Sequence, residues 1–475
     1  MKTYEEYLKS LKDGREIYYR GKKVDDITTH PVLKDTPVFL GRIHHGYMLS
    51  PEQNEKYFFK HPETGQKLSK YYKIPRNTQD LLDRFQMAWD FTTDNMQVTA
   101  HIGSDMLLSM MIASKYQGEE YGKRMDAFAN YLVKENPILA GCQMDVKGDR
   151  SLRPSEQKDP DMHVHVVEER KDGIIVRGAK THASWAYAAN ELLVIPSRAP
   201  RKGEEHFAVG FAISPGTKGI RMLLRPALEV ESSQSEMELA RRRVSGHFTE
   251  ALIIFDDVFI PWERVFIYKD FAQGSRLALN FALWHRFTAV SYRGALATVL
   301  VGMTKLLAQY NGIDGVAHIT RNISDLIMYA EIQRVCARTA AYECTIEPKT
   351  GIAIPNPLAT NVGKLYSNTG HFKAKQAVID TAGGLAITAP SGEDYDNEKL
   401  RKDIDKYLAG HDVSGIDRFK LMIMLREAIG LYGGLEDVGE LHAEGSILPS
   451  VLELYRTYNY GPVTKLIKKF AEIDT

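Results

Sequence analysis

The chain has 475 residues, 44% of them hydrophobic, and its 61 Lys and Arg balance 61 Asp and Glu. That length allows roughly two to four domains with sizeable cores. The neutral balance argues against nucleic acid or an anionic membrane as the main partner, and no apolar run approaches the roughly 18 residues needed to span a bilayer.

Cys142, Cys336 and Cys344 are an odd number of thiols, spaced unlike any zinc or iron–sulfur pattern, so a cytoplasmic, globular protein with reduced cysteines is expected. The start, Met1-Lys-Thr-Tyr-Glu-Glu-Tyr7, reads as an amphipathic helix and not as a signal peptide. Tyr4, Tyr7, Leu8 and Leu11 keep helical spacing over 3–12, and Tyr18 to Asp25 then reads as a short hairpin or turn, giving a docking arm. From Thr78 to about Glu135, apolar residues recur at three and four, as in Leu81, Leu82, Phe85 and Trp89, which predicts a run of helices. The Met-rich stretch from Met106 to Met111 fits core packing better than a cofactor box.

Between Gly141 and Pro160 the chain packs glycines, prolines, charges and hydroxyls between two regular regions. Such a loop is either a linker or the place where a scaffold presents a ligand site. Beyond it the period changes. Met162–Glu168, an Asp172-Gly173 turn and Ile174–Lys180 predict a hairpin, and Leu192–Pro196, Phe207–Ile213 and Ala251–Phe255 continue the β pattern, with breaks at Pro215-Gly216 and Pro226. Residues from about 145 to 270 therefore read as an antiparallel sheet or barrel. Helical periodicity returns near 277–310, 315–347, 358–382 and 416–432, which fits a four-helix bundle, and 448–471 could add a further helix. The expected domains are 1–144 (arm and helices), 145–272 (β-barrel) and 273–475 (helical bundle with tail).

A cleft where three such domains meet favours a large, flat cofactor. No Gly-x-Gly-x-x-Gly follows a strand and no Walker lysine loop is present. His101, His182, His285 and His442 are candidate acids or bases, each open to a plain core or surface role. His163-x-His165 lacks a third ligand, His44-His45 is weaker still, and no metal is expected. Glu436, Glu440 and Glu444 repeat every four residues beside His442, which offers carboxylates for proton transfer or simply a solvated face. No Ser-His-Asp elbow occurs, and Cys142 has no cationic neighbour in sequence to make it reactive.

Specific segments carry a resemblance over nearly the whole chain. They are Thr29-His-Pro31, Lys147-Gly-Asp-Arg-Ser-Leu-Arg-Pro-Ser155 with Asp159-Pro160, Gly173-Ile-Ile-Val-Arg-Gly-Ala-Lys180, Phe255-Asp-Asp-Val-Phe-Ile-Pro-Trp-Glu-Arg-Val-Phe266, and Ala382-Gly-Gly-Leu385 leading to Pro390-Ser391. With these the chain resembles the family of 4-hydroxyphenylacetate 3-monooxygenase oxygenase components and 4-hydroxybutyryl-CoA dehydratase. The resemblance implies an acyl-CoA dehydrogenase-like, α+β multidomain fold assembled as a homotetramer, with FAD, used as FADH2, in the inter-domain cleft. It assigns flavin contacts to Asp149, Arg150, Arg153, Ser155, Thr181 and Ser184, with Gly383 and Gly384 reaching the dinucleotide of a neighbouring subunit. Arg150 or Arg153 suits pyrophosphate, and a small hydroxyl suits the ring edge.

The sequence departs from both branches. The dehydratase's cluster histidine matches His285, but its cysteine positions fall at Gln97, His101 and Tyr292, so no iron–sulfur cluster is expected. The hydroxylase's phenolate-gripping Arg, Tyr and His fall at Ile102, Met106 and Gly141, which argues against 4-hydroxyphenylacetate itself. Arg293 stands where a Lys is common and would serve a thioester carbonyl or a phenolate. The implied activity is hydroxylation of a phenol-like substrate with FADH2 from a separate flavin reductase, with His285, His101 and Arg293 as the catalytic set. The alternative is isomerase or dehydratase-like chemistry on a short acyl-CoA; a flavin-binding protein without turnover is the third reading.

Overall fold

The computed structural model describes residues 2–96, 101–226, 235, 249–429, 431–445 and 447–473, and it is of mixed α and β class. Thr3 caps the arm helix Tyr4–Ser10 through a reciprocal box with Glu6. Strands β1 (Glu16–Tyr19) and β2 (Lys22–Lys23) then pair across Arg20 and Gly21, both left-handed, as a two-residue hairpin requires. A small hairpin, β3 (Phe58–Lys60) with β4 (Lys67–Ser69), precedes helices Thr78–Asn95, Ile102–Gln117 and Glu119–Glu135.

The β region comprises β5 (Leu139–Cys142), β6 (His165–Glu169), β7 (Gly173–Ser184), β8 (Glu191–Val194), β9 (Val209–Ile213), β10 (Ile220–Leu224), β11 (Glu250–Pro261) and β12 (Val265–Tyr268). These form one sheet in the order β2-β1-β10-β11-β7-β6 and a second in the order β12-β9-β8-β5. The described strands form two sheets and no closed barrel. Nor is the pairing wholly antiparallel, because β1 runs parallel to β10 and β5 parallel to β8. Both parallel strands arrive from sequence ahead of the β region, β1 from the arm and β5 from the end of the third helix, and such distant entry permits a parallel pair.

Apolar residues of both sheets meet in one core, where Phe211 of β9 and Phe255 of β11 sit edge to face at 6.1 Å. A register shift between Phe255 and Val258 lets β11 bury both while Asp256 and Asp257 stay exposed. That bulge explains how an Asp-Asp pair sits inside a strand.

Asp270 caps a helix that runs from Phe271 to Tyr310, and Asn356 with Pro357 starts another that ends at Ala382 before left-handed Gly383. These two and the helix Ala317–Tyr342 pack on one another, and Thr78–Asn95 and Ile102–Gln117 pack against the first of them. The fourth expected helix, Gly415–Ile429, lies mainly against short helices between 385 and 407 and against Leu431–His442. Trp284, Phe287 and Val290 thus share a core with Leu81, Phe85, Leu108 and Ile112, which ties the N-terminal helices to the long one. Among the described residues no helix is long and apolar enough to cross a membrane.

Candidate functional site

His101 immediately precedes the helix Ile102–Gln117, and Asp105 stands one turn further on the same face. The facing stretch of the Phe271–Tyr310 helix carries His285, Thr288, Tyr292 and Arg293 at helical spacing, and the two faces meet. His285 Nδ1 lies 3.1 Å from Asp105 Oδ2, and His101 Nε2 lies 3.6 Å from the same oxygen. Arg84 Nη2 and the Thr288 hydroxyl donate to Asp105 Oδ1 at 2.5 and 2.9 Å. The rings of His101 and His285 are 5.1 Å apart, Tyr292 stands 5.3 Å from His101, and Phe281 stacks on His285 at 5.1 Å. His101 and His285 are 4% and 9% exposed and Asp105 is fully buried.

The end of the Leu431–His442 helix and the turn after it close the other side. Arg293 Nη2 meets Glu444 at 2.7 Å and its Nε meets Glu440 at 3.2 Å. Lys364 Nζ is 3.1 Å from Glu444, the Tyr292 hydroxyl donates to Glu444 at 3.2 Å, and His285 Nε2 is 3.6 Å from the same carboxylate. The solvated-face alternative therefore fails for Glu440 and Glu444, which turn inward to cations on other helices, while His442 stays exposed. The Glu436 side chain and Gln97 lie outside the described residues.

Burial alone would raise the Asp105 carboxyl, but Arg84 and the two imidazoles hold it below the usual carboxylate range. Glu444 is likewise kept ionised against burial by Arg293 and Lys364. Burial and the Arg293 charge push the Lys364 ammonium down to about 8. Burial pushes the Cys142 thiol up to about 12, which leaves it a poor nucleophile.

The other expected histidines lie elsewhere. His182 is exposed beside Glu250, His163 is buried beside Asp145 at 3.5 Å, and burial pushes His45 down to about 3. Among the acids, Asp105 was missed by sequence reasoning. The His101-x-x-x-Asp105 spacing was a usable signal for it.

The loop after β5 is bolted to β7. The Thr181 amide donates to Met144 O at 2.8 Å, and Lys180 Nζ reaches Gln143 O, Ile195 O and the Asp145 carboxylate. Asp149 accepts from Ser151, and Arg198 donates to the carbonyls of Leu152 and Arg150. Lys147, Arg150 and Arg198 lie close enough that the two guanidinium groups, after burial, lower the Lys147 ammonium. This exposed cationic patch suits a pyrophosphate. Arg153 and Ser155 instead bind Glu204. Ser184 ends β7 between His182 and Trp185, which both have left-handed backbones at φ 53 and 57, a strained setting that often marks a functional turn. Gly383 and Gly384 have open space where a Cβ would sit.

The positions assigned to a phenolate grip do come together. A Cβ on Gly141 would stand 2.9 Å from Ile102 Cγ1 and 3.0 Å from Met106 Cε. Apolar atoms fill that corner, and β5 links it directly to the cationic loop.

Two family models, described as the N-terminal and C-terminal parts of 4-hydroxyphenylacetate 3-hydroxylase, match residues 3–267 and 275–472. The chain is 26% identical over 495 residues to 4-hydroxybutyryl-CoA dehydratase/vinylacetyl-CoA-Delta-isomerase of Clostridium aminobutyricum, covering 99% of both chains. It is 26% identical over 476 residues to a 4-hydroxyphenylacetate 3-monooxygenase oxygenase component of Thermus thermophilus, covering 99% of this chain and 97% of that one. In fold it is similar to an archaeal 4-hydroxybutyryl-CoA dehydratase from N. maritimus, with a TM-score of 0.91 at 24% identity over 100% of this chain and 95% of that one. An FAD complex of a 4-hydroxyphenylacetate 3-monooxygenase oxygenase component gives 0.89 at 24%, over 99% and 98%. With matches over residues 3–267 and 275–472, in both halves, the chain belongs to the 4-hydroxyphenylacetate 3-hydroxylase family.

Proposed function

We propose that the chain is the oxygenase subunit of a cytoplasmic, two-component monooxygenase that takes FADH2 from a separate reductase and hydroxylates a phenol-like substrate. The observation that carries the reading is a buried imidazole, His285, oriented by Asp105 on the Ile102–Gln117 helix, which packs on β5 and so leads to an exposed cationic loop suited to a flavin pyrophosphate. Whole-length likeness to FAD-bearing oxygenases supports it. The middle β region and long helices would then form the acyl-CoA dehydrogenase-like arrangement, as a homotetramer. When bound, FADH2 supplies the electron pair that activates oxygen.

The protein's own part is to bind, orient and move a proton. Lys147, Arg150 and Arg198 would hold the pyrophosphate, and the Ser184 hydroxyl and Thr181 the ring side. Arg153 and Ser155 act by fixing the loop through Glu204. Nδ1–H of His285 donates to Asp105, so the neutral ring keeps its lone pair on Nε2. At 3.6 Å from Glu444 that nitrogen is beyond hydrogen-bond length of its neighbour, and it is placed to take the proton of a substrate hydroxyl. Proton removal from a phenol raises electron density at the ring carbon to be hydroxylated. His101 stands beside His285, their rings 5.1 Å apart. Arg293, engaged by two carboxylates, is a positioning residue for Glu444. With Ile102 and Met106 packed on Gly141, the corner favours an uncharged ring substituent over an arylacetate.

The test supplies the purified chain with FADH2, 18O-labelled oxygen and a panel of phenols. Label in a catechol-type product supports the reading. One observation favours a second reading, isomerisation of a short acyl-CoA: the His285–Glu444 pair suits moving a proton between two carbons. Solvent deuterium entering vinylacetyl- or crotonyl-CoA without oxygen, with no label in any phenol, would overturn the first reading in favour of the second.

A further inference from the structure

The strongest unassigned feature is the set of donor atoms on His101, Asp105 and His285. One ligand atom from each falls within 4.8 Å of the others, and all three residues are buried. We infer that these two imidazoles and one carboxylate form a site for a single divalent transition cation of the zinc or iron(II) class. This goes beyond the proposed function: a cation on His285 Nδ1 would take the place of the proton that this atom otherwise donates to Asp105, so the metal-loaded chain is an alternative state to the metal-free one in which His285 acts as base.

The spacing supports it. Ligands about 2.0–2.2 Å from a tetrahedral zinc lie roughly 3.3 Å from one another, and His285 Nδ1 and His101 Nε2 stand 3.1 and 3.6 Å from Asp105 Oδ2. Two histidines and one carboxylate on a shared face leave other coordination positions open, a donor set that borderline divalent metals prefer to calcium or magnesium. The ligands are also anchored from behind. Arg84 and Thr288 hold the other oxygen of Asp105, and Arg84 Nη2 donates at 2.7 Å to Ser104, whose hydroxyl in turn donates to His101 O at 2.7 Å. Such outer contacts fix ligand orientation. Cysteine counting and the His163-x-His165 pair led sequence reasoning to expect no metal. The third ligand of this set came only with Asp105.

The groups facing the set are Arg84, Tyr292, Glu444, Arg293 and Lys364.

The experiment uses the full chain, stripped with chelator and titrated with zinc chloride by calorimetry, with cobalt chloride as a visible-absorption probe. One equivalent of zinc is expected, with a d–d spectrum typical of nitrogen and oxygen ligands for cobalt. His101→Gln and His285→Gln, which keep the Arg84–Asp105 pair, should each weaken zinc at least 100-fold, whereas His182→Gln should leave it unchanged. Absence of stoichiometric zinc binding by the unaltered chain, or affinity that survives both glutamine variants, overturns the inference. Activity enters none of these outcomes, so failure here is distinct from failure of the monooxygenase reading.

Discussion

The Arg84–Asp105 pair sits where two helices meet, with side chains 3% and 0% exposed, and a double-mutant cycle tests whether it supports the site. Asp105→Ala strands the guanidinium, which among the described residues keeps Tyr71 O and the Ser104 hydroxyl as acceptors. An uncompensated buried charge costs about 3–5 kcal/mol. Arg84→Met leaves Asp105 in contact with the Thr288 hydroxyl and the two imidazoles, so its cost is smaller, about 2–4 kcal/mol. Removing both charges leaves neither stranded, and the double variant should lose at least ~2 kcal/mol less than the sum of the singles. Urea unfolding midpoints, followed by circular dichroism at constant pH, provide the measurement. If the double loss equals the sum to within ~0.5 kcal/mol, the two residues do not act as a pair and the anchoring of His285 through Asp105 is refuted.

Four further outcomes follow from the same geometry. The Lys364 ammonium, at about 8 in the folded chain, lies below its unfolded value. Between pH 8 and ~10 the unfolded state therefore binds more protons, and the stability of the unaltered chain relative to Lys364→Met should rise by up to ~1.4 kcal/mol per pH unit; parallel stability curves would contradict this. His285→Gln should lower turnover at least ~100-fold, as loss of a general base does, with the unfolding midpoint little changed. Ser184→Ala should weaken FAD binding by ~3–10-fold, the worth of one hydrogen bond, and an unaltered affinity in fluorescence titration would remove Ser184 from the flavin site. Gly141→Ala should cost about 1–3 kcal/mol, because its methyl meets Ile102 and Met106 at overpacking distance; an unshifted unfolding midpoint would show that the corner is loose.

Periodicity made most elements legible. The β6–β7 hairpin, the arm helix and the long helices all follow from the spacing of apolar residues and from caps such as Asp270 and Asn356. The direction of a strand's partner is absent from its own pattern, which is why the parallel entry of β1 and β5 was not foreseen. In the site, His101 and His285 could be chosen by chemistry and resemblance. Asp105 had only its spacing from His101 to mark it, a pattern that the ordinary acidic residue of a first helical turn also gives, until the facing helix brought His285 and Thr288 to it. Glu440 and Glu444 looked like a solvated face because their partners, Arg293 and Lys364, lie on other helices. Arg198 was invisible for the same reason, since only the folded loop sets it beside Arg150.

The charge arrangement explains how two imidazoles are accommodated among carboxylates so deep in the protein. Asp105 is matched by Arg84, and Glu440 and Glu444 by Arg293 and Lys364. None of the three carboxylates depends on a histidine as its sole counter-ion. Were Arg84 absent, Asp105 would lose the guanidinium that does most to hold its carboxyl below the usual carboxylate range. The same logic separates the two sides of the site. The buried network balances its charges internally, so it suits proton transfer, whereas the loop of Lys147, Arg150 and Arg198 leaves its positive charge facing outward, where an anionic cofactor can meet it.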